Sequence, residues 1–330
     1  MFRLLIDDKI EDVAKLYAQK LFDKHPKLEK PISKDVGGNV DKTKGLFRLI
    51  KLLKGKENEK YRSYVSNIIK NFDAILKLKP SEFDDFKIKY FNQLTPKELE
   101  KKVISGNEKK FHELVVEFMK YDYAREKLIE LTKDKLEITT CVYCNKNPPC
   151  SVDHYKAKAN YPFLCISFYN MFPSCKDCNQ LKGDREFSDD FVLYCEKGEE
   201  QDPYKFKLED GLLNYVRTTP KNHENIIIDI GAKDGHSLEQ FGDEDGHLKI
   251  KYRYNDKCFH AKEALETIYN ICCGYGKEGL KVLKMTFPKL DSDQEKMLKF
   301  VLRDSIDVKN THKCEFNKIK FDFGKLLKII

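Results

Sequence analysis

The chain has 330 residues, 41% hydrophobic and 35% charged, with only 16 glycines and 11 prolines; this excludes a low-complexity or disordered chain and leaves room for at least one sizeable core. Its 61 basic and 54 acidic residues give a net charge of +7, so charge by itself favours a polyanionic partner only weakly. The 11 cysteines, an odd count, argue against a disulfide framework and for reduced thiols or metal ligation.

The opening MFRLLIDDKIEDVAK meets acidic residues after a handful of apolar ones. That is too short for a signal peptide, and a cytoplasmic protein is expected. The longest apolar run, YPFLCISFYNMF, falls short of the roughly 20 residues that span a bilayer, so no membrane segment is expected.

Residues 1–135 read as a helical domain, because apolar residues recur there at helical spacing. Ile10, Val13, Leu16, Tyr17 and Leu21 form one stripe. Tyr61, Val65, Ile68, Phe72 and Ile75 form a second, which Pro80 stops, and Phe111, Leu114, Val115, Phe118, Ala124 and Leu128 form a third. Thr95-Pro96-Lys97-Glu98 is a capping box that predicts a further helix start. Between the first two stripes, DVGGNVDKTKGLFRLIKLLKGKENEK predicts a loop followed by a basic helix, whose ordinary reading is a solvated face.

Residues 136–190 carry the chemistry. Cys141, Cys144, Cys175 and Cys178 form two CxxC pairs separated by 30 residues, the spacing of a closed, tetrahedral structural Zn2+ site. A closed site has no open coordination position, so the chemistry falls to the neighbouring polar residues Asp153, His154 and Asn179. His154 suits a general base, since an imidazole accepts a proton near neutrality. Asp153 and Asn179 offer the oxygen ligands that suit Mg2+ or Mn2+. Lys182 and Arg185 are candidates for contacting phosphates.

Residues 191–330 read as a mixed α+β domain. HLKIKYRY alternates Leu248, Ile250, Tyr252 and Tyr254 with Lys249, Lys251 and Arg253, which predicts a strand with one basic face. HKCEFNKIKFDF alternates similarly through Ile319, Phe321 and Phe323. Helices are predicted at about 260–285 and 291–307, with Asp291 and Ser292 available as caps of the second.

The order CxxC, Asp-His, a central Asn, CxxC-Asn and Lys-Gly closely resembles the zinc-containing HNH endonucleases, over 47 residues from Cys141 to Phe187. That resemblance implies a ββα-metal core: a β-hairpin and a helix around one catalytic divalent cation. It makes His154 the general base, Asp153 and Asn179 the cation ligands, and Asn170 the residue that braces the loop between the strands. It further implies single-metal hydrolysis of DNA that leaves a 5′-phosphate. Tyr155-Lys156 stands where many relatives have Pro-Lys, and Met171 where Leu is commoner after the central Asn.

DHYKAKANYP followed by SCKDCNQLKGDREF is also similar to HNH subunits of Septu-type anti-phage systems, which work beside an ATPase. The expected whole is an α+β protein with a helical N-terminal region, a central zinc-pinned HNH core and a mixed C-terminal region. Its expected activity is metal-dependent DNA cleavage in anti-phage defence or restriction. Two other readings use the same residues: a non-catalytic zinc module that binds nucleic acid or a partner protein, and a nuclease that acts on RNA. The sequence leaves the oligomeric state open, and double-strand cleavage would imply a homo-oligomer, a partner or repeated action.

Overall fold

The computed structural model describes residues 3–24, 45–188, 191–208, 227–242, 247–256, 259–273 and 308–326. The first apolar stripe forms α1 (Asp8–Lys24). Asp7 starts this helix by accepting the Ile10 amide at 2.9 Å, and Ile10, Val13, Tyr17 and Leu21 are buried along its inner face. After α2 (Gly45–Leu52) the second stripe divides into α3 (Glu59–Lys70) and α4 (Phe72–Lys77). The break is Asn71, whose backbone leaves the helical region at φ −109° and ψ 17°. Even so, Tyr61, Val65, Ile68, Phe72 and Ile75 all remain buried.

α5 (Phe83–Tyr90) and α6 (Pro96–Leu99) follow. The capping box forms as predicted, with the Thr95 amide donating to Glu98 Oε2 at 2.8 Å. The third stripe splits into α7 (Phe111–Phe118) and α8 (Tyr121–Leu136), parted by Lys120 in the left-handed region at φ 60°. Of the predicted loop before α2, residues 25–44 lie outside the described residues.

Among the described residues the strands form three two-stranded sheets. β1 (Leu4–Leu5) runs parallel to β4 (Tyr194–Cys195), tying the start of the chain to the segment beyond the cysteines. β2 (Ser151–His154) and β3 (Met171–Ser174) form an antiparallel pair in which Asp153 faces Phe172 and His154 faces Met171. α9 (Lys176–Lys182) leaves β3 through Cys175 and packs back against β2. The result is a β-hairpin followed by a helix. β5 (Tyr204–Leu208) and β6 (Ile228–Ala232) form the third, antiparallel pair.

Two predicted strands are helices instead. HLKIKYRY yields the helix Ile250–Asp256, in which Ile250 and Tyr254, four residues apart, are buried while Tyr252 is 44% exposed. HKCEFNKIKFDF yields the helix Asn317–Leu326; there Ile319 and Phe323 are fully buried, again four apart, and Lys318 pairs with Asp322 at 2.8 Å across one helical turn. A short alternating apolar run also satisfies the i, i+4 spacing of a helix face. Packing decided the matter: the edge of β5 that a further strand would need is partly taken by the Asp322 carboxylate, which accepts the Phe206 amide at 2.7 Å. The helix predicted at 260–285 is present as Phe259–Cys273, whereas the one at 291–307 lies outside the described residues.

One apolar core runs from Ile10 in α1 through Phe172 in β3 to Phe323 near the end of the chain. The fold is α+β, predominantly helical with small sheets. No described helix is long and apolar enough to cross a membrane.

Candidate active site and metal centre

The four cysteines of the CxxC pairs converge. Cys141 and Cys144 sit in the turn before β2, Cys175 caps α9 and Cys178 lies in its first turn. All four are buried and their sulfurs lie within 4.8 Å of one another, with Cys144 and Cys175 at 3.9 Å. A tetrahedral ZnS4 centre with Zn–S bonds of about 2.3 Å requires sulfur separations of roughly 3.8 Å. The donor set and its spacing are therefore compatible with Zn2+. Cys175 is held far below the ordinary thiol range because Cys141, Cys144 and Cys178 donate to it.

The cysteines are contacted from outside by the C-terminal helix Ile250–Asp256. Arg253 Nη1 donates to Cys178 Sγ at 3.0 Å and the Tyr254 hydroxyl to the Cys144 carbonyl at 2.5 Å. Burial opposes the Arg253 charge, but the neighbouring sulfurs of the cysteine cluster, Cys178 first, outweigh it and raise the guanidinium further. Four thiolates on a divalent ion leave an excess of negative charge, which an arginine beside the sulfur partly balances. Asn145, directly after the second cysteine and at φ 48°, fastens the end of the chain: its Nδ2 donates to the Thr311 carbonyl at 2.7 Å and its Oδ1 accepts the Lys318 amide at 3.0 Å.

Alternation along β2 sends Ser151 and Asp153 toward α9 and His154 to the opposite face. Asn179 Nδ2 donates to Ser151 Oγ at 2.9 Å, an arrangement that leaves its amide oxygen for another partner. One turn on, Lys182 is 1% exposed; its ammonium lies 3.4 Å from Asp153 Oδ1 and 3.3 Å from Oδ2, and donates to the His154 carbonyl at 2.7 Å. The other face of the carboxylate is held by the Tyr143 hydroxyl, 2.5 Å from Oδ2. Burial raises the Asp153 carboxyl above its usual range, and Lys182 and Tyr143 pull it back.

His154 points at α8, with its ring 5.3 Å from that of Tyr121. Its Nε2 lies 3.0 Å from the Cys165 carbonyl. A carbonyl can only accept, so the Nε2 must carry the hydrogen and Nδ1 keeps its lone pair. Burial, followed by the Lys158 charge, lowers the imidazole to about 3. Asn170, fully buried, spans the loop between the strands: its Oδ1 accepts the Lys156 amide at 2.8 Å, and its Nδ2 donates to the carbonyls of Lys156 at 3.2 Å and Leu164 at 3.1 Å. Arg185 stands apart, exposed, with Nη1 donating to the Leu181 carbonyl at 3.3 Å. Gly183 ends α9 at φ 58° and ψ −138°, a conformation reserved for glycine.

The module thus gathers Asp153, Asn179 and Lys182 on one side of β2 and places His154 on the other, braced by Asn170. Tyr143, Tyr121, Asn145 and Arg253 were not legible as parts of it. Tyr143 had one signal, its place between the cysteines of the first CxxC. A cavity of about 720 Å3 opens between α7, α8 and the loop after β2, walled by Lys120, Tyr121, Tyr123, Lys158 and Asp184 among others; His154 is not part of its wall and lies behind Tyr121.

A 66-residue stretch of the chain is 35% identical to the Septu protein PtuB of Bacillus thuringiensis. That stretch is 18% of this chain and 24% of the PtuB chain, so the match spans about a quarter of the curated relative's length. No protein-family model matches the chain, and no solved structure matches it.

The low proton affinity of His154 has a consequence for acid stability. The unfolded chain binds this proton near pH 6.5 and the folded chain only near 3, so protonation favours unfolding throughout that window. The stabilisation is complete above pH 6.5 and is lost as pH falls toward 3, by up to ~1.4 kcal/mol per pH unit. Denaturant midpoints measured between pH 7.5 and 4.5 should decline less steeply in His154→Gln than in the native chain; equal slopes would show that His154 is protonated in the fold.

Proposed function

We propose that the chain is a divalent-metal-dependent endonuclease of the HNH type that hydrolyses DNA phosphodiester bonds. The observation that carries this reading is the hairpin and helix themselves: a four-cysteine clamp, compatible with Zn2+, joins the elements bearing Asp153, His154, Asn170 and Asn179. On this reading the clamp holds structural zinc. The Asp153 carboxylate and the Asn179 amide oxygen would hold Mg2+ or Mn2+, for which oxygen donors are suited. A divalent cation there supplies neutralisation of the charge that develops on the phosphate and the leaving oxygen.

The protein's own contribution starts at His154. Its Nδ1 lone pair would accept the proton of the attacking water once opening of the site relieves the burial that lowers the imidazole to about 3, while the Cys165 carbonyl at Nε2 fixes the tautomer. Asn170 keeps that carbonyl in place by closing the loop on which Cys165 lies. The substrate strand would enter by the cavity beyond Tyr121, where Lys120 and Lys158 offer phosphate contacts and Tyr121 and Tyr123 offer faces for bases, among four carboxylates that the phosphates would have to avoid. Similarity to the Septu protein PtuB supports a setting in anti-phage defence; an ATPase partner is what the resemblance to Septu-type HNH subunits implies.

One observation favours the second reading, a zinc module that binds without cleaving: Asp153 and His154 are only 3% and 4% exposed. On the nuclease reading, substrate or partner binding must both expose the pair and bring His154 and the Asp153 face of β2 to one phosphate. The test is incubation of the zinc-loaded chain with supercoiled plasmid, single-stranded DNA and structured RNA in EDTA, Mg2+ or Mn2+. Metal-dependent nicking of the plasmid is expected. Cleavage confined to RNA would transfer the activity to that substrate, and binding without cleavage in any cation would favour the silent module.

A further inference from the structure

Two features lie beyond this reading, the Arg253 contact on the cysteines and the pair of residues that grip Asp153, and one within it, the cavity proposed as the substrate's entrance, invites a narrower reading. The cavity carries four carboxylates against three lysines on its walls and selects no ligand class further. The grip on Asp153 goes further, because both partners and their distances are defined and the two act in opposite senses.

Tyr143 belongs to the cysteine clamp, lying between Cys141 and Cys144, and is 3% exposed. Its hydroxyl donates to Asp153 Oδ2 at 2.5 Å, and its ring packs edge-on against Phe187 at 6.3 Å. Lys182 belongs to α9, and its ammonium lies within 3.4 Å of both carboxylate oxygens. A hydroxyl that donates to a ligand carboxylate fixes its rotation and leaves the remaining lone pairs for a metal, as outer partners of metal ligands commonly do. An ammonium at the same carboxylate is instead a resident cation that repels a second one.

Resting on the cation site proposed above, we infer that Tyr143 and Lys182 are opposed positioning residues: Tyr143 presents Asp153 to the divalent cation, and Lys182 occupies Asp153 until that cation arrives. The zinc clamp thereby reaches the proposed catalytic carboxylate through a single hydroxyl. The arrangement keeps a buried carboxylate paired in the absence of metal, where an unpaired charge would be costly.

The experiment is Mn2+ binding to the full, zinc-loaded chain, followed by electron paramagnetic resonance of free Mn2+, for the native protein, Tyr143→Phe, Lys182→Met and Asp153→Asn. Zinc content and the thermal midpoint of each variant are measured alongside to establish that it is folded. Tyr143→Phe keeps the ring and should weaken Mn2+ by ~10-fold. Lys182→Met keeps the length of the side chain and should tighten Mn2+ by ~3-fold or more. A general loosening of the module would shift both variants the same way, so shifts of one sign, or an unchanged Tyr143→Phe, would overturn the inference. Native binding that is absent, or that survives Asp153→Asn, would overturn the cation site itself and this inference with it.

Discussion

Replacing Cys178 by serine is expected to empty the metal centre and unfold the hairpin and helix together with the end of the chain. The four sulfurs come from two segments 30 residues apart in sequence, and the clamp closes that loop beside the short β2–β3 ladder. Structural zinc sites of this kind contribute apparent binding energies of ~10–16 kcal/mol, as large as the whole stability of a typical domain. Removing one thiolate leaves three buried sulfurs, an arginine without its partner at Cys178 and no closed tetrahedron. The damage should spread along the contacts already described: Tyr143 to Asp153, Tyr254 to the Cys144 carbonyl, and Asn145 to the segment around Thr311 and Lys318. Zinc per chain by mass spectrometry should fall from about one to near zero, and amide protection should be lost together in β2 and in the helix Asn317–Leu326. Cys150→Ser, at an exposed thiol, should leave both unchanged. A Cys178→Ser protein that retained zinc and protection would remove the clamp from this account.

Asn170→Ala should be the next most damaging change. Its side chain makes three hydrogen bonds to the backbone of the loop between β2 and β3, in a fully buried position. Alanine would leave the Lys156 amide and the Lys156 and Leu164 carbonyls without those partners, and buried orphans cost ~1–3 kcal/mol each. Partial relaxation brings the expected loss to ~3–5 kcal/mol in urea unfolding. The loop also carries Cys165, whose carbonyl fixes His154, so any cleavage activity should fall further than the loss of folded protein explains. A loss under 1 kcal/mol would mean that the loop is held by its packed aromatic residues and not by Asn170.

The N-terminal helices were legible because their signal is local: an apolar stripe at helical spacing, a capping box, a proline. The breaks at Asn71 and Lys120 were not, since nothing in the residues themselves demands them. The cysteine clamp was legible from spacing alone, and the polar residues between its halves do fall on one module. The C-terminal helices were misread because Ile250, Tyr252 and Tyr254, like Ile319, Phe321 and Phe323, fit both an alternating and a helical pattern. The strands that do form there, Tyr204–Leu208 and Ile228–Ala232, depend on each other across the sequence. The same remoteness hid Arg253 from Cys178 and Asn145 from Lys318. Lys182, read as a phosphate contact, is instead buried against Asp153, a placement that only the register of α9 on β2 could reveal.

The central claim is that the zinc-pinned hairpin and helix form a hydrolytic site with His154 as its base. The most direct measurement is the rate of supercoiled plasmid nicking in Mn2+ by the native chain and by His154→Ala, each zinc-loaded and, if the native chain alone is silent, with the protein that co-purifies from its host. Loss of a general base costs ~100- to 10,000-fold, so the account predicts nicking that EDTA abolishes and that His154→Ala reduces by at least ~100-fold. Nicking that His154→Ala sustains at the native rate, or no cleavage by either protein with its partner present, would contradict it.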